Sequence, residues 1–506
     1  MEATLVKKKE KENQVDSKQP RSLIIDIICV SVILNPIFDI LSFIFRNYFE
    51  TNISISTFLR PVIPVGCAIY FFIKSDKKEK LKLVGIGAIY LLYAIIHLYI
   101  VSQNVTGWSS GGASNELQYI CNFTFLVVEL YAYYCTFAIN KKDSAKEIEN
   151  KKRGIGKLKK SIIVMSGIYV VSILFSIIIS KSSYTYPETK TGYKGLIESG
   201  NSLSAILVLS LGIMIQMIKS REYKWRIIST VISAVTCIYL VTLIGTRVGM
   251  LGSIMVIAMY VAIEIIFNKN KKVAIIGSVI CIIGVVAFGI VGSNTIKRRT
   301  QMKDAQFDII DEKTGEIGCL TGDMLRIKNK IIDNTLEDNY LRDDEKQSVI
   351  DLYEFAKEHK FAGNDTRRQQ FIYNTFLMKN QKSISKLLFG NGYKNKFREM
   401  CMENELPAFL FNFGVIGFIL YVGPFIAIMI KVAIDIIKRS INKKLNGMYV
   451  MNFILGALIY VLSWLSGYVF FATSCMSIII IIHIIILNES NKELEVIKWR
   501  KRFYLE

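Results

Sequence analysis

The sequence predicts an all-α polytopic membrane protein with about twelve transmembrane helices and one large extracytoplasmic loop that contains amphipathic helices. Three observations predict it. The chain has 506 residues, 52% of them hydrophobic and only seven of them proline, which is too apolar for an ordinary soluble enzyme of this length. The apolar residues fall into blocks of about 17 to 25, the length a helix needs to cross roughly 30 Å of hydrocarbon, whereas barrel strands would alternate in polarity. Lys and Arg gather in every second connection between blocks, as expected where those connections stay on the cytoplasmic side.

In chain order, a basic cytoplasmic N-terminus (1–22, with KKKEK) precedes nine spans within 23–293. These are expected near 23–46, 58–74, 83–102, 117–139, 161–180, 203–218, 227–245, 249–267 and 273–293. The large loop covers 294–407. Three further spans within 408–487 (408–433, 449–466 and 468–487) lead to a cytoplasmic C-terminus, 488–506, with KWRKR. The breaks at 245–249 and 466–468 are the shortest. Inner connections read KSDKKEKLK, KSREYKWR and KRSINKK, while YFETNISIS and NVTGWSSGGASNE contain no Lys or Arg. Both termini are therefore expected in the cytoplasm, with the chain in the bacterial cytoplasmic membrane.

The formal charge of +21 is spread over all the inner connections rather than gathered in one domain. That distribution suits topology signals touching anionic membrane lipids, not a nucleic-acid partner. The basic start runs into a full-length span without a small-residue cleavage site, so a permanent first helix is expected. Seven of nine cysteines (Cys29, Cys67, Cys121, Cys135, Cys237, Cys281 and Cys475) lie in expected spans, as small apolar residues do. Cys319 and Cys401 face outward, where spacing alone does not decide whether they are bridged. His97, His359 and His483 are scattered, and no metal-ligand spacing or cofactor motif is present. Asp39 and Glu129 are costly charges inside spans, with Arg46 and Arg60 as candidate partners.

Within the loop, DDEKQSVIDLYEFAKEHK and TRRQQFIYNTFLMKN have helical periodicity, the second with Thr366 as its expected cap. Three places stand out chemically. In GTRVGMLGS (245–253), Arg247 sits between two spans among small residues, where it needs a partner or ligand, or else snorkels to headgroups. In NDTRRQQFIYN, Arg367 and Arg368 open a helix whose N-terminus, with that arginine pair, suits phosphate or pyrophosphate; a solvated charged face is the alternative. In 386–422, Gly390 and Gly392 permit a tight turn, and Glu403 and Glu405 stand before the tenth span, either as general bases or as a solvated helix entrance.

Together these segments resemble the O-antigen ligase and polymerase family of bacterial envelope enzymes. GTRVGML is similar to the family's small-Ser/Thr-Arg-small stretch at a span boundary. Arg367 or Arg368 precedes the GxG turn at Gly390 and Gly392 at the family's spacing, and counting back from Gly414 and Gly417 in FGVIGF puts Glu403 and Asn404 on the family's closing pair. The resemblance covers about 200–487. Ligases of the family carry His where this chain has Glu403, so the resemblance leans towards polymerases. It implies metal-independent glycosyl transfer from undecaprenyl-pyrophosphate-linked oligosaccharide on the outer face, without a cofactor, in the company of a flippase and a chain-length regulator. Arg247 and Arg368, with Arg367 as substitute, would hold the pyrophosphate; Glu403, with Glu405 second, would be the base. The rival is a lipid-linked oligosaccharide flippase, against which stand the single large loop and the lack of two similar halves.

Overall fold

A computed structural model of the chain describes residues 19–50, 55–104, 110–140, 143–268, 293–304, 318–337, 340–363, 365–392 and 400–491. The membrane part comprises α1 (Gln19–Tyr48), α2 (Ile55–Lys74), α3 (Lys77–Asn104), α4 (Ser110–Phe137), α5 (Ala145–Ile178), α6 (Gly200–Met217), α7 (Tyr223–Ile238) and α8 (Arg247–Phe267). The loop region holds α9 (Asn294–Asp304), α10 (Gly322–Ile332), α11 (Asp343–Glu358), α12 (Thr366–Gln381) and α13 (Ile384–Phe389). The chain then returns through α14 (Glu405–Tyr421), α15 (Gly423–Ile441), α16 (Gly447–Ser466) and α17 (Thr473–Ser490).

Among the described residues, nine helices are long and apolar enough to cross a membrane, and α14 with α15, bent by 51°, makes a tenth if counted as one broken span. Of the twelve expected spans, 58–74 is occupied by α2, which is not among those ten, and 273–293 lies outside the described residues, as do most of both basic tails. The chain is a multi-pass helical membrane protein.

Burial divides these helices. α6 and α17 are enclosed on nearly all sides, which their unbroken apolar sequences permit, while α3 is mostly exposed, as suits a helix facing lipid. The span charges are paired inside the bundle. Asp39 accepts from Arg60 Nη2 at 2.7 Å and from the Tyr169 hydroxyl at 2.5 Å, and Glu129 accepts from Ser477 Oγ at 2.6 Å. Arg46 instead pairs with Glu198 at 2.8 Å. Such pairing offsets most of the cost of removing charge from water.

The loop helices form a second, smaller core from Leu320, Met324, Val349, Leu352, Tyr373 and Leu377, between α10, α11 and α12. Gln369 sits fully buried at its edge: its amide donates to the Ala362 and Gly363 carbonyls at 3.2 Å and its oxygen accepts from Thr321 N–H at 3.0 Å. Asp365, not Thr366, occupies the N-cap position of α12. Cys319 and Cys401 are not joined in a disulfide.

One element departs from all-α. Residues Ser183–Tyr186 (β1) and Thr191–Gly195 (β2) make an antiparallel hairpin between α5 and α6, pairing Tyr184 with Tyr193 and Tyr186 with Thr191. The alternating SYTY and the PETKTG turn are its sequence signals.

Candidate functional site

The turn Leu243–Arg247 is the base on which the site is assembled. α7 ends in one π-helical turn, Tyr239–Leu243, and Gly245 (φ +77°) reverses the chain. Thr246 then caps α8: its hydroxyl oxygen accepts from Gly249 N–H at 3.0 Å and lies 2.5 Å from Ser204 Oγ. Ser204 donates its own proton to the Gly200 carbonyl at 2.7 Å, so Thr246 is the donor between the two hydroxyls. The GTR sequence thereby fixes where Arg247 leaves the helix. Arg247 is exposed and has no hydrogen-bond or ion-pair partner among the described residues.

Two other elements dock on this turn. The hairpin touches it glycine to glycine: a Cβ on Gly245 would lie 3.1 Å from Gly192 Cα, and one on Gly192 would lie 2.2 Å from the Ile244 carbonyl oxygen. The first turn of α9 bonds it twice, Asn294 Nδ2 to the Leu243 carbonyl at 3.0 Å and Thr295 Oγ1 to the Thr246 carbonyl at 3.3 Å. One turn along α9 stands Arg298, half-buried, with its guanidinium carbon 3.3 Å from the centre of the Tyr186 ring on the hairpin. Burial lowers the Arg298 pKa below the ordinary arginine value, and the charges of Arg247 and Arg367 lower it further against the opposing influence of Tyr186 and Glu188. Arg298 thus lies within electrostatic reach of the other two cations.

Arg367 reaches this cluster from the loop subdomain. Its Nε donates to Glu403 Oε2 at 2.8 Å, and its Nη1 donates to the Leu465 carbonyl at the end of α16. Glu403 N–H donates in turn to Gln370 Oε1 at 3.1 Å, so α12 is bonded to both sides of the Glu403 peptide strand. Arg368 points elsewhere, its guanidinium 3.9 Å from the Phe361 ring. Asn404 is the N-cap position of α14 and makes no side-chain cap bond.

Glu405 lies two residues beyond Glu403 in a different environment. It is fully buried, and its two oxygens accept the backbone N–H groups of Val469, Phe470 and Phe471 at 2.7, 2.8 and 2.8 Å. It holds the connection between α16 and α17 rather than facing the arginines.

The GNG turn and the FGVIGF helix interlock. Asn391 and Gly392 N–H groups donate to the Phe411 and Asn412 carbonyls at 3.0 and 2.9 Å. That contact puts Gly390 (φ +88°) against Asn412 and kinks α14 at Gly414 (φ +71°), where a Cβ would meet Leu388 backbone at 2.4 Å. Beneath the turn, buried His97 lies 2.5 Å by Nδ1 from the Phe389 carbonyl and 2.8 Å by Nε2 from Glu116 Oε1. The glycines read as a turn are therefore a backbone joint between α13 and α14.

The structure brings Arg247, Arg367 and Glu403 to one end of the bundle. It leaves Arg368 on the Phe361 ring and encloses Glu405. Arg298 and Tyr186 complete the cluster and were missed by sequence reasoning. The run KRR at 297–299, directly after an expected span, was the available signal for the first, and the Tyr–Thr–Tyr alternation for the second. The arrangement groups three guanidinium cations with one carboxylate, the chemistry that suits a polyanion beside a proton acceptor.

A search of curated proteins finds no match for the chain. The family model for O-antigen ligase like membrane proteins matches residues 23–491. That match takes in every span, the loop subdomain and all the residues of the cluster, and the chain belongs to the O-antigen ligase like membrane protein family.

Proposed function

We propose that the chain polymerises undecaprenyl-pyrophosphate-linked oligosaccharide repeat units on the outer face of the cytoplasmic membrane. The supporting observation is the Arg367–Glu403 contact at 2.8 Å beside Arg298 and Arg247, with the whole cluster at one end of the bundle. In this reading Arg247 and Arg367 bind the pyrophosphate of the donor; the stacking of Arg368 on Phe361 makes it the weaker candidate. The pyrophosphate competes with Glu403 for Arg367, which leaves the carboxylate free. An acceptor sugar hydroxyl gives its proton to Glu403 as its oxygen bonds to the anomeric carbon of the donor. The bond from that carbon to the pyrophosphate oxygen breaks, and the arginines stabilise the charge on the leaving group. Glu405 contributes by positioning the α16–α17 connection.

The presence of Glu403 where ligases of the family carry His favours polymerisation over transfer of finished glycan to another acceptor. The chain-length distribution of surface glycan in a deletion strain tests this. Single repeat units at the surface are the expected outcome. Full-length polymer detached from its acceptor would instead indicate a ligase, and lipid-linked units accumulating on the inner face a flippase. A cysteine placed at Lys357, in a background lacking Cys319 and Cys401, should react with an impermeant thiol reagent on intact cells without an outer barrier; reaction only after lysis would reverse the orientation.

A further inference from the structure

The hairpin between α5 and α6 has no part in the reading above, yet it is docked against the turn that presents Arg247 and it carries the ring that covers Arg298. We infer that Arg298, held flat on Tyr186, is a third anion-binding arginine that makes the site select a diphosphate over a monophosphate carrier.

Three observations carry this. First, the guanidinium lies 3.3 Å from the Tyr186 ring centre, and a ring over one face of a guanidinium does not consume its N–H donors, which lie in its own plane. No carboxylate within salt-bridge distance takes those donors among the described residues. Second, the placement is fixed rather than incidental. Asn294 and Thr295 bond α9 to the Leu243 and Thr246 carbonyls, so the backbone that carries Arg298 is tied to the turn from which Arg247 leaves. Third, the charges add up. Arg247, Arg298 and Arg367 supply three positive charges, of which Glu403 neutralises one through Arg367. A diphosphate presents a second ionised phosphoryl group that a monophosphate on the same lipid lacks, and Arg298 is the additional cation that can meet it. Glu188, on the hairpin turn, acts on Arg298 less strongly than either arginine.

A solvated Arg would spend rotamer freedom on binding, whereas one already stacked loses little when it meets phosphate. Its half-buried position also strengthens each bond it makes to an anion relative to open water. The selectivity thus comes from a fixed third cation.

The assignment rests on the lipid-pyrophosphate reading above, and the test separates the two. Purified full-length protein is titrated with undecaprenyl pyrophosphate and with undecaprenyl phosphate, for the natural chain and for Arg298→Ala, Tyr186→Leu and Arg299→Ala. The natural chain should prefer the diphosphate. Arg298→Ala should lose about 10- to 100-fold in diphosphate affinity, the range of one charge-assisted contact, with monophosphate affinity within about threefold of the natural value. Unchanged monophosphate binding also reports an intact fold. Tyr186→Leu, which keeps the charge and removes the platform, should fall between, and exposed Arg299→Ala should match the natural chain. Retained diphosphate preference in both Arg298→Ala and Tyr186→Leu would overturn the inference while leaving the donor reading intact. A natural chain that binds neither lipid would remove the donor reading, and the third cation with it.

Discussion

Arg367 and Glu403 form an ion pair at 2.8 Å across the joint between the loop subdomain and the membrane helices. The same guanidinium also donates to the Leu465 carbonyl, so a single side chain ties α12 to the entrance of α14 and the end of α16. Both members of the pair are about 40% exposed, which leaves the contact weak by itself and open to exchange with a stronger anion. In the proposed reading this contact is the resting state of the site before the donor binds.

The two neighbouring arginines should therefore behave differently. Arg367→Lys retains a charge but cannot bond Glu403 and Leu465 at once, and polymer formation should fall by about 10²-fold or more. Arg368→Lys changes only a stack on Phe361 and should stay within about threefold of the natural rate, allowing for a loss of stacking worth about 1 kcal/mol. Rates from purified protein, normalised to folded protein, distinguish them. Equal impairment of the two variants would contradict the geometry.

Glu405→Gln should act on stability. The carboxylate accepts three backbone N–H groups, and an amide turns one acceptor oxygen into a donor facing them. A loss of about 2 to 4 kcal/mol is expected for leaving such a buried group unmatched. Thermal unfolding in detergent should show a lower midpoint for Glu405→Gln and an unchanged one for Glu403→Gln; the reverse order would exchange the roles given to the two residues.

The joint between α13 and α14 should tolerate no side chain at its contact. Gly390→Ala places a Cβ 2.1 Å from the Asn412 carbonyl oxygen, and Gly414→Ala places one 2.4 Å from Leu388, both at positive φ. The left-handed backbone alone costs about 1 to 2 kcal/mol per residue for an L side chain. Both variants should accumulate poorly in membranes, whereas Gly85→Ala, with nothing within 4 Å, should accumulate normally. Normal levels of all three would mean that this joint is dispensable.

Acid should loosen the loop subdomain before the bundle. Burial pushes the Asp344 carboxyl up, but hydrogen bonds and charge from Arg342, with Lys386 beyond, outweigh it and hold the group below its ordinary value of 3.8. A depressed folded-state value contributes stability above the ordinary value, and that contribution is lost as pH falls below it. Protection of the α11 amides relative to their intrinsic exchange rate should fall as pH drops below 3.8, and Asp344→Asn should remove that acid-dependent step. An unaltered fall in Asp344→Asn would assign the step to other carboxylates.

Much of the membrane architecture was legible because span length and apolarity are local sums: α6 and α17 declare themselves in their own residues. The amphipathic periodicity of α11 and α12 was likewise readable, although Asp365 rather than Thr366 stands at the cap. Arg247 could be singled out because a charge beside small residues at a span boundary is costly. What could not be read was relative placement. Whether Arg367 or Arg368 meets Glu403 depends on the rotation of α12 about its axis, and that is fixed by Tyr373 and Leu377 packing further along the helix and by the buried Gln369 next to Arg368. Glu403 and Glu405 look equivalent in sequence, yet two residues of offset send one to the rim and the other onto the backbone of Val469 to Phe471. The KRR run at 297–299 marked a basic stretch, but which of its members joins the cluster was not readable, since the neighbours of Arg298 come from the hairpin, α8 and α12.

The central claim is that the arginine cluster holds a lipid-linked donor while Glu403 takes the proton of the acceptor. Purified protein supplied with lipid-linked repeat units measures both events in one sample, donor binding by titration and polymer by chain-length analysis. The natural chain should bind and polymerise. Glu403→Gln, which keeps size and most hydrogen bonding, should bind the donor with comparable affinity and polymerise about 10²- to 10⁴-fold more slowly. Polymerisation by Glu403→Gln at the natural rate would contradict the general-base role and leave the arginines as the source of catalysis.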